Sequence, residues 1–239
     1  MERTFVNKNL ENKICSYFEI KDILNLPTLK APEIISFVNP FSYKLIAEKP
    51  ILINEVDYWF VDGILLCYLT NLRREKKIIR ASFDLSSVGS TFLKLAEDKS
   101  YKIAFVGGAE TEINLACNNL KIQFPRLNIV YKHHGYIQKD FEKVYTEING
   151  SGANYLIVGM GTPMQEEFAI GCKKHCTSLS LIFTCGGFLT QTAMKPDYYH
   201  PIIKKLGLRW LQRAYLHKHV RSRLLKDYPR FIIRYLLNK

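Results

Sequence analysis

The stretch YLIVGMGTPMQEEFAIGCKKHC, residues 155–176, decides the fold class. Residues 155–158 form a short apolar run, residues 159–164 contain two glycines, and residues 165–176 carry apolar side chains at helical spacing. A short, continuous apolar run bounded by glycine is typical of a strand that is buried on both faces. This stretch therefore predicts a buried strand, a tight turn and a helix.

The same pattern recurs along the chain. The other predicted strands are residues 34–38, 58–61, 102–106, 127–131 and 179–184. The other predicted helices are residues 42–48, 87–98, 110–124 and 139–149. Strands that alternate with helices predict a doubly wound, mostly parallel α/β sheet of the Rossmann-like class. Residues 1–30 are expected to add a strand or a helix to it.

Length and composition limit the classes of protein that the chain can represent. Its 239 residues, 47% of them hydrophobic, suffice for one α/β domain and a modest appendage. The N-terminus lacks the basic and apolar regions of a signal peptide, and no window approaches the ~20 apolar residues of a membrane span. We therefore expect a cytoplasmic protein. Cys172, His175 and Cys176 lack a second ligand pair, so a zinc site is not predicted.

The net charge of +12 is concentrated at the C-terminus. Residues 201–239 contain eleven Lys and Arg and one acidic residue, so they carry +10 of that charge. This asymmetry divides the chain into a catalytic domain, residues 1–200, and a basic helical appendage, residues 201–239. Aromatic and aliphatic residues lie among the charges, a mixture that favours a helix on an anionic membrane surface. Alternatively, the apolar residues pack on the core or on a neighbouring subunit. No nucleic-acid-binding motif accompanies the charges, so no nucleic-acid partner is predicted.

Polar residues and glycines come directly after the predicted strands, whose carboxyl ends should converge at one edge of the sheet. Glycines there let backbone N–H groups approach a diphosphate, although any single glycine pair could simply turn the chain. The chain lacks a dinucleotide fingerprint, a P-loop and an Asp-x-Asp pair. We therefore predict neither a cofactor nor a metal, and expect arginines and backbone dipoles to meet the diphosphate charge.

Two charged residues are candidates for chemistry at this edge. Asp62 ends an apolar strand and is followed by Gly63, a position that suits a general base. The alternative is that Asp62 caps the next helix. Arg80 could pair with a phosphate or, alternatively, form a local ion pair with Asp84.

In their order and spacing, several motifs resemble those of the WecG/TagA/CpsF glycosyltransferases of surface-polysaccharide and wall-teichoic-acid assembly. The resemblance runs from about Ile34 to the C-terminus. The motifs that carry it are Asn39, Asp62-Gly63, residues 80–85, residues 106–108, residues 134–136, residues 159–166 and residues 206–213.

The resemblance implies an inverting, metal-independent transfer from a UDP-sugar to an undecaprenyl-diphosphate-linked acceptor at the inner face of the cell membrane. The sugar would be N-acetylmannosamine, N-acetylmannosaminuronic acid or glucose, and a homo-oligomer stays open. Asp62 would be the catalytic base. The residues implied in the donor pocket are Asn39, Gly63, Arg80, Gly107, Gly108, Tyr136, Gly161, Gln165, Glu166 and Gly187. Those implied at the acceptor diphosphate are Arg213, Arg221 and Arg223.

The chain departs from the family pattern near both substrates. Phe37 stands where many members have Thr. If that Thr helps to position the substrate, its role is unfilled in this chain or is taken by Ser36 or Ser42. Leu189 replaces the usual Asp after Phe188. These departures leave open a second hypothesis, a non-catalytic nucleotide-binding scaffold of a polysaccharide-assembly complex. A nicotinamide-dependent oxidoreductase is disfavoured by the missing fingerprint.

Overall fold

The computed structural model of the chain describes residues 5–25, 31–137, 139–195, 203, 209–216 and 218–237. Within these ranges, seven strands form one sheet in the order β1-β3-β2-β7-β6-β4-β5, and every pair of neighbours is parallel. The strands are β1 (Ile14–Cys15), β2 (Glu33–Val38), β3 (Tyr58–Val61), β4 (Lys102–Gly107), β5 (Asn128–His133), β6 (Tyr155–Gly159) and β7 (Leu181–Thr184). The predicted doubly wound α/β class is confirmed.

Helices connect the strands and extend the chain beyond the sheet. They are α1 (Lys8–Lys13), α2 (Ile20–Leu24), α3 (Pro40–Ala47), α4 (Pro50–Glu55), α5 (Ile64–Asn71), α6 (Val88–Asp98), α7 (Glu110–Gln123), α8 (Phe141–Gly150), α9 (Met164–His175), α10 (Phe188–Met194), α11 (Arg209–Leu216), α12 (Lys218–Ser222) and α13 (Tyr228–Leu237). A 3₁₀ turn, Tyr17–Glu19, precedes α2, and a π-helical turn, Arg223–Asp227, joins α12 to α13.

The sheet separates two hydrophobic cores. Successive side chains of a strand point to opposite faces, so β2 places Ile34 in one core and Ile35 in the other. Both side chains are fully buried, and each such burial stabilises the fold by about 1.5–3 kcal/mol. This two-sided burial explains why the strands appear in the sequence as continuous apolar runs.

The C-terminal helix α13 packs on the main body of the protein, against α3 and α5. Phe231 and Tyr235 are buried in the same core as Tyr43, with ring centroids 5.6 and 5.7 Å from the Tyr43 ring. The Tyr235 hydroxyl donates to Glu11 Oε1 at 2.9 Å, and the Arg73 guanidinium lies 4.8 Å above the Tyr235 ring. Phe231 and Tyr235 therefore follow the alternative interpretation, in which apolar residues of the appendage pack on the core.

Other residues of the appendage face outward. Ile233, Leu236 and Leu237 of α13 are exposed, as is Leu225 in the π-helical turn. Within the described ranges, no helix combines the length and the apolar character that crossing a bilayer requires. The division at residue 200 stays a prediction, and residues 196–202 lie outside the described part.

Candidate functional site

A cavity of about 350 Å³ opens at the carboxyl ends of β2, β3, β6 and β7. This is the edge of a parallel sheet at which ligands bind in doubly wound proteins. The structure brings together here seven of the eleven residues that were predicted as the base or in the donor pocket. Those that line the cavity are Asn39, Asp62, Gly63, Arg80, Gly161, Gln165 and Gly187.

Asp62 and Arg80 form the charged centre of the cavity. Arg80 Nη2 donates to Asp62 Oδ1 at 2.7 Å and to Asp84 Oδ2 at 3.1 Å. The local pair with Asp84, given above as the alternative to a phosphate contact, is therefore present, and a second carboxylate shares the same guanidinium. Two carboxylates and one guanidinium leave this group of three with one net negative charge.

The two acidic partners of Arg80 differ in their surroundings. Burial alone would raise the pKa of Asp84, but the Arg80 charge and the hydroxyls of Ser82 and Ser86 outweigh it and hold that pKa below its usual value. Asp84 is thus fixed as a carboxylate. The Asp62 side chain is 28% exposed, and among the described residues no donor is bonded to its Oδ2 atom. Asp62 therefore presents one bonded and one available oxygen to the cavity.

The chain geometry after β3 shows why Asp62 is not a helix cap. Helix α5 begins at Ile64 with Gly63 as its N-cap and without a side-chain cap bond. Gly63 adopts φ +103°, a conformation that favours glycine. The Asp62 backbone N–H donates to the Val38 carbonyl at 2.8 Å, which fixes the end of β3 against β2. These contacts turn the chain so that the carboxylate meets Arg80.

Both polar atoms of the Gln165 side chain are already hydrogen-bonded within the protein. Its Oε1 accepts from the Gly186 backbone N–H at 3.0 Å. Its Nε2 donates to Glu166 Oε1 at 2.8 Å and to Thr162 Oγ1 at 3.4 Å. Gln165 therefore holds the glycine turn after β7 next to the turn after β6.

Glu166 lies beneath the cavity and is fully buried. Its Oε1 also accepts from the Ser36 hydroxyl at 2.9 Å, whereas Oε2 is buried without a hydrogen-bond partner. Burial raises the pKa of Glu166 despite the hydrogen bonds that favour its ionised form. Glu166 thus holds the Gln165 side chain and is not itself part of the cavity lining.

The first turn of α3 uses Asn39 as its cap. Asn39 Oδ1 accepts from the backbone N–H groups of Phe41 and Ser42 at 2.9 and 3.0 Å, and the Ser42 hydroxyl accepts from Asn39 N–H at 3.0 Å. The side-chain oxygen of Asn39 is therefore occupied, which leaves its amide NH₂ for a ligand.

Phe37 lines the cavity at the position where many family members have Thr. Of the two candidate replacements only Ser42 lines the cavity, and the hydroxyls of both are already hydrogen-bonded within the protein. Ser36 is fully buried and bonded to Glu166 and to Thr184, and the Ser42 hydroxyl is bonded within the α3 cap. Neither serine therefore replaces the missing threonine hydroxyl, and the Phe37 ring forms this part of the cavity wall.

Besides Glu166, three predicted donor residues lie outside the cavity lining. Gly107 ends β4 and Gly108 follows it, and a side chain on Gly107 would meet the Gly159 carbonyl oxygen at 2.4 Å. Gly108 N–H donates to that same carbonyl at 3.3 Å. These glycines let the turns after β4 and β6 approach each other. Tyr136 is 72% exposed beyond β5.

The C-terminal arginines are described only in part. Arg221 Nη1 donates to the carbonyls of Ala214 and Tyr215 at 3.1 and 2.8 Å, so its guanidinium ties α12 to α11. The side chains of Arg213 and Arg223 lie outside what the structure describes, so their predicted roles stay predictions.

Sequence reasoning missed several cavity residues. Val220, Leu224 and Tyr228 bring the appendage to the cavity, and Gln191 reaches it from the first turns of α10. The apolar residues of the appendage were the available signal, but their spacing also fits a membrane-facing helix. Among the described residues, no group of three His, Cys, Asp or Glu side chains is placed to hold a metal.

Comparison with known proteins identifies the family. The sequence model of the group described as "Glycosyl transferase WecG/TagA/CpsF family" matches residues 21–239. The chain belongs to the WecG/TagA/CpsF glycosyltransferase family. The resemblance seen in the motifs is thereby confirmed, and the protein is a glycosyltransferase of this family.

Two relatives show which reactions this glycosyltransferase family contains. A UDP-Gal:alpha-D-GlcNAc-diphosphoundecaprenol beta-1,4-galactosyltransferase of Shigella boydii is 43% identical over 206 residues, which is 85% of this chain and 85% of that protein. An N-acetylglucosaminyldiphosphoundecaprenol N-acetyl-beta-D-mannosaminyltransferase of Staphylococcus aureus is 27% identical over 232 residues, 97% of this chain and 87% of that protein. The two relatives differ in the sugar that they transfer.

Proposed function

We propose that this glycosyltransferase transfers a hexose from a UDP-sugar to a sugar that is linked through diphosphate to undecaprenol. The transfer is inverting and independent of metal, and Asp62 is the general base. The observation that carries the proposal is the Asp62 carboxylate in the cavity wall, with Oδ1 held by Arg80 and Oδ2 directed to no donor of the described residues.

The reaction is a single in-line displacement. Asp62 Oδ2 takes the proton of the acceptor hydroxyl, whose oxygen attacks the anomeric carbon of the donor. The bond from that carbon to the UDP oxygen breaks, and UDP leaves with the electron pair. A positioned general base contributes about 10²–10⁴-fold to the rate of such a proton transfer.

Charge on the leaving diphosphate is offset by backbone groups first. Helix α9 begins at Met164, shortly after Gly161 and Thr162 of the cavity lining, so the positive end of its dipole lies near this part of the cavity. Arg80 already serves two carboxylates, so we assign it mainly to the orientation of Asp62. Arg213, Arg221 and Arg223 would meet the acceptor diphosphate, and Arg221 would first release the carbonyls of α11.

The donor proposed first is UDP-galactose. The motif resemblance alone implied N-acetylmannosamine, N-acetylmannosaminuronic acid or glucose. The 43% identical relative, however, is a galactosyltransferase, whereas the relative named for N-acetylmannosamine is 27% identical. Both relatives are named for an N-acetylglucosaminyl-diphosphoundecaprenol acceptor. We therefore assign N-acetylglucosamine-diphosphate-undecaprenol as the acceptor.

The proposed location is the inner face of the cell membrane, where such an acceptor is anchored. Exposed Leu225, Ile233, Leu236 and Leu237 lie among the basic side chains of the appendage, a composition suited to an anionic interface. At about 1 kcal/mol per basic residue near such a surface, binding is useful and reversible.

The test is a transfer assay with a panel of donors. Purified protein receives the undecaprenyl acceptor in detergent and UDP-galactose, UDP-glucose, UDP-N-acetylglucosamine or UDP-N-acetylmannosamine, with and without EDTA. We expect galactose transfer that EDTA leaves unchanged and a product of inverted anomeric configuration by NMR. Binding of UDP without transfer from any donor would contradict the proposal and would support the scaffold hypothesis.

A further inference from the structure

Helix α5 is apolar on its outer face as well as on its inner face. Leu66 and Leu69 are buried, whereas Ile64, Tyr68 and the C-cap residue Leu72 are 61, 62 and 56% exposed. The helix sequence ILLCYLTN contains no charged residue. A helix that is hydrophobic all round is normally buried, so an outer face of this kind indicates a surface with a partner.

The exposed side chains of α5 form one continuous stripe. Residues four apart lie on the same side of a helix, so Ile64, Tyr68 and Leu72, here called the α5 stripe, extend along about 12 Å of its axis. Ile64 also lines the cavity. Leu72 is followed by residues 73–77, four basic and one acidic. The α5 stripe therefore runs from the reaction cavity to a basic surface.

We propose that the α5 stripe binds the polyprenyl chain of the acceptor where the chain leaves the cavity. The inference rests on the proposed function, because it requires an acceptor with a reacting sugar, a diphosphate and a long apolar chain. Asp62, which the acceptor sugar must reach, stands two residues before Ile64. Val220 and Leu224 line the cavity as well, so the exit has apolar residues from two elements.

The physical gain is the removal from water of the exposed α5 stripe and of the part of the polyprenyl chain that is drawn out of the membrane when the acceptor enters the cavity. The basic residues beyond Leu72 complement the anionic headgroups of the membrane in which the remainder of the chain is anchored. A bilayer or a second copy of the protein could also cover an apolar stripe. Neither of these occupants explains why the stripe begins at the cavity beside the proposed base.

The test compares two acceptors in detergent solution, using the double variant Tyr68→Gln/Leu72→Gln. One acceptor is N-acetylglucosamine-diphosphate-undecaprenol, and the other carries a short, water-soluble alkyl chain in place of undecaprenol. We expect the ratio of kcat/KM for the long acceptor to kcat/KM for the short acceptor to fall at least about tenfold. The matched control, Leu115→Gln/Ile122→Gln, removes two exposed apolar side chains of α7 and should keep the wild-type ratio.

The outcomes separate this inference from the proposed function. Wild-type protein that uses the short acceptor as well as the long one would overturn the α5 stripe inference alone. An unchanged ratio in the double variant would also overturn it. If the double variant then lost liposome binding, the α5 stripe would serve the bilayer; if it lost dimerisation, the stripe would serve a second copy of the protein. Failure of wild-type protein with both acceptors would refute the proposed function, and this inference with it.

Discussion

Arg80 Nη2 lies 2.7 Å from Asp62 Oδ1 and holds that carboxylate at the cavity wall. The same nitrogen bonds Asp84, whose pKa is held below its usual value, so a permanent anion anchors the arginine from the other side. The proposed base is therefore positioned by a guanidinium that cannot swing freely. Substitutions of Asp62 and of Arg80 should therefore have different effects.

Replacing the base should abolish turnover while leaving the donor site intact. For Asp62→Asn we expect kcat to fall about 10²–10⁴-fold, because the amide cannot accept the acceptor proton. The affinity for UDP, measured by calorimetry, should stay close to that of wild type. Asp98→Asn is the matched control, since Asp98 pairs with Arg126 in an exposed position. Turnover at the wild-type rate in Asp62→Asn would remove this residue from the proposed role.

Replacing Arg80 should affect stability as well as activity. Arg80→Gln leaves Asp62 and Asp84 without their shared cation, and we expect the free energy of unfolding to fall by about 1–3 kcal/mol. Removing one of the two charges as well, in Arg80→Gln/Asp84→Asn, should restore part of that loss in urea denaturation. Strict additivity of the two single changes would contradict the shared bond.

The hydroxyl of Tyr235 should contribute measurably to holding α13 on the core. Tyr235→Phe removes the bond to Glu11 and the 3.3 Å contact with Thr70 Oγ1, so we expect a loss of about 1 kcal/mol in the free energy of unfolding. Tyr215→Phe, in an exposed position, should change nothing. Equal stability of both variants would show that the ring alone fastens the helix.

The close approach of β4 and β6 predicts a contrast between two glycines. Gly107→Ala places a methyl group 2.4 Å from the backbone oxygen of Gly159, which cannot rotate away. We expect the free energy of unfolding to fall by about 3 kcal/mol. Gly150→Ala meets no atom within 4 Å at the end of α8 and should add up to about 1 kcal/mol. Similar melting temperatures for the two variants would contradict the geometry.

Burial of Glu166 predicts a pH-dependent difference from its amide variant. Because the pKa of Glu166 is raised in the folded protein, this side chain loses its proton at a lower pH in the unfolded chain than in the folded one. The stability of the wild-type protein should therefore fall relative to Glu166→Gln as the pH rises from the usual glutamate pKa through the raised one. Glu167→Gln, whose glutamate is partly exposed and pairs with Lys49, should show no such trend. Thermal unfolding from pH 5 to 8 gives the comparison.

The sheet was predictable because its strands are buried on both faces. A strand such as β6 then appears as an unbroken apolar run, and only its ends are uncertain, as in β5, which starts one residue later and ends two residues later than expected. Helix α10 was missed because its seven residues are too few for helical spacing to be recognised. The outward and inward residues of α13 are similarly apolar, so the contact between Tyr235 and Glu11 could not be inferred from spacing.

The site was predictable in part for the same reason. Asp62, Asn39 and Gly187 lie just after strands, and the turns that leave parallel strands meet at one edge of the sheet. Local spacing indicated the Arg80–Asp84 pair, whereas the second pair joins residues eighteen positions apart and depends on how the chain turns after Gly63. The family resemblance implied both Gln165 and Glu166 in the pocket, but consecutive residues of a helix point in different directions, and only Gln165 lines the cavity.

The core that the segment around α1 shares with α13 bears on how the protein is made. Val6 and Leu10 belong to the same buried cluster as Phe231 and Tyr235. During synthesis, this cluster therefore cannot close until α13 has left the ribosome. A variant that lacks only α13 would leave an exposed apolar hollow around Tyr43, a target for chaperones and proteases.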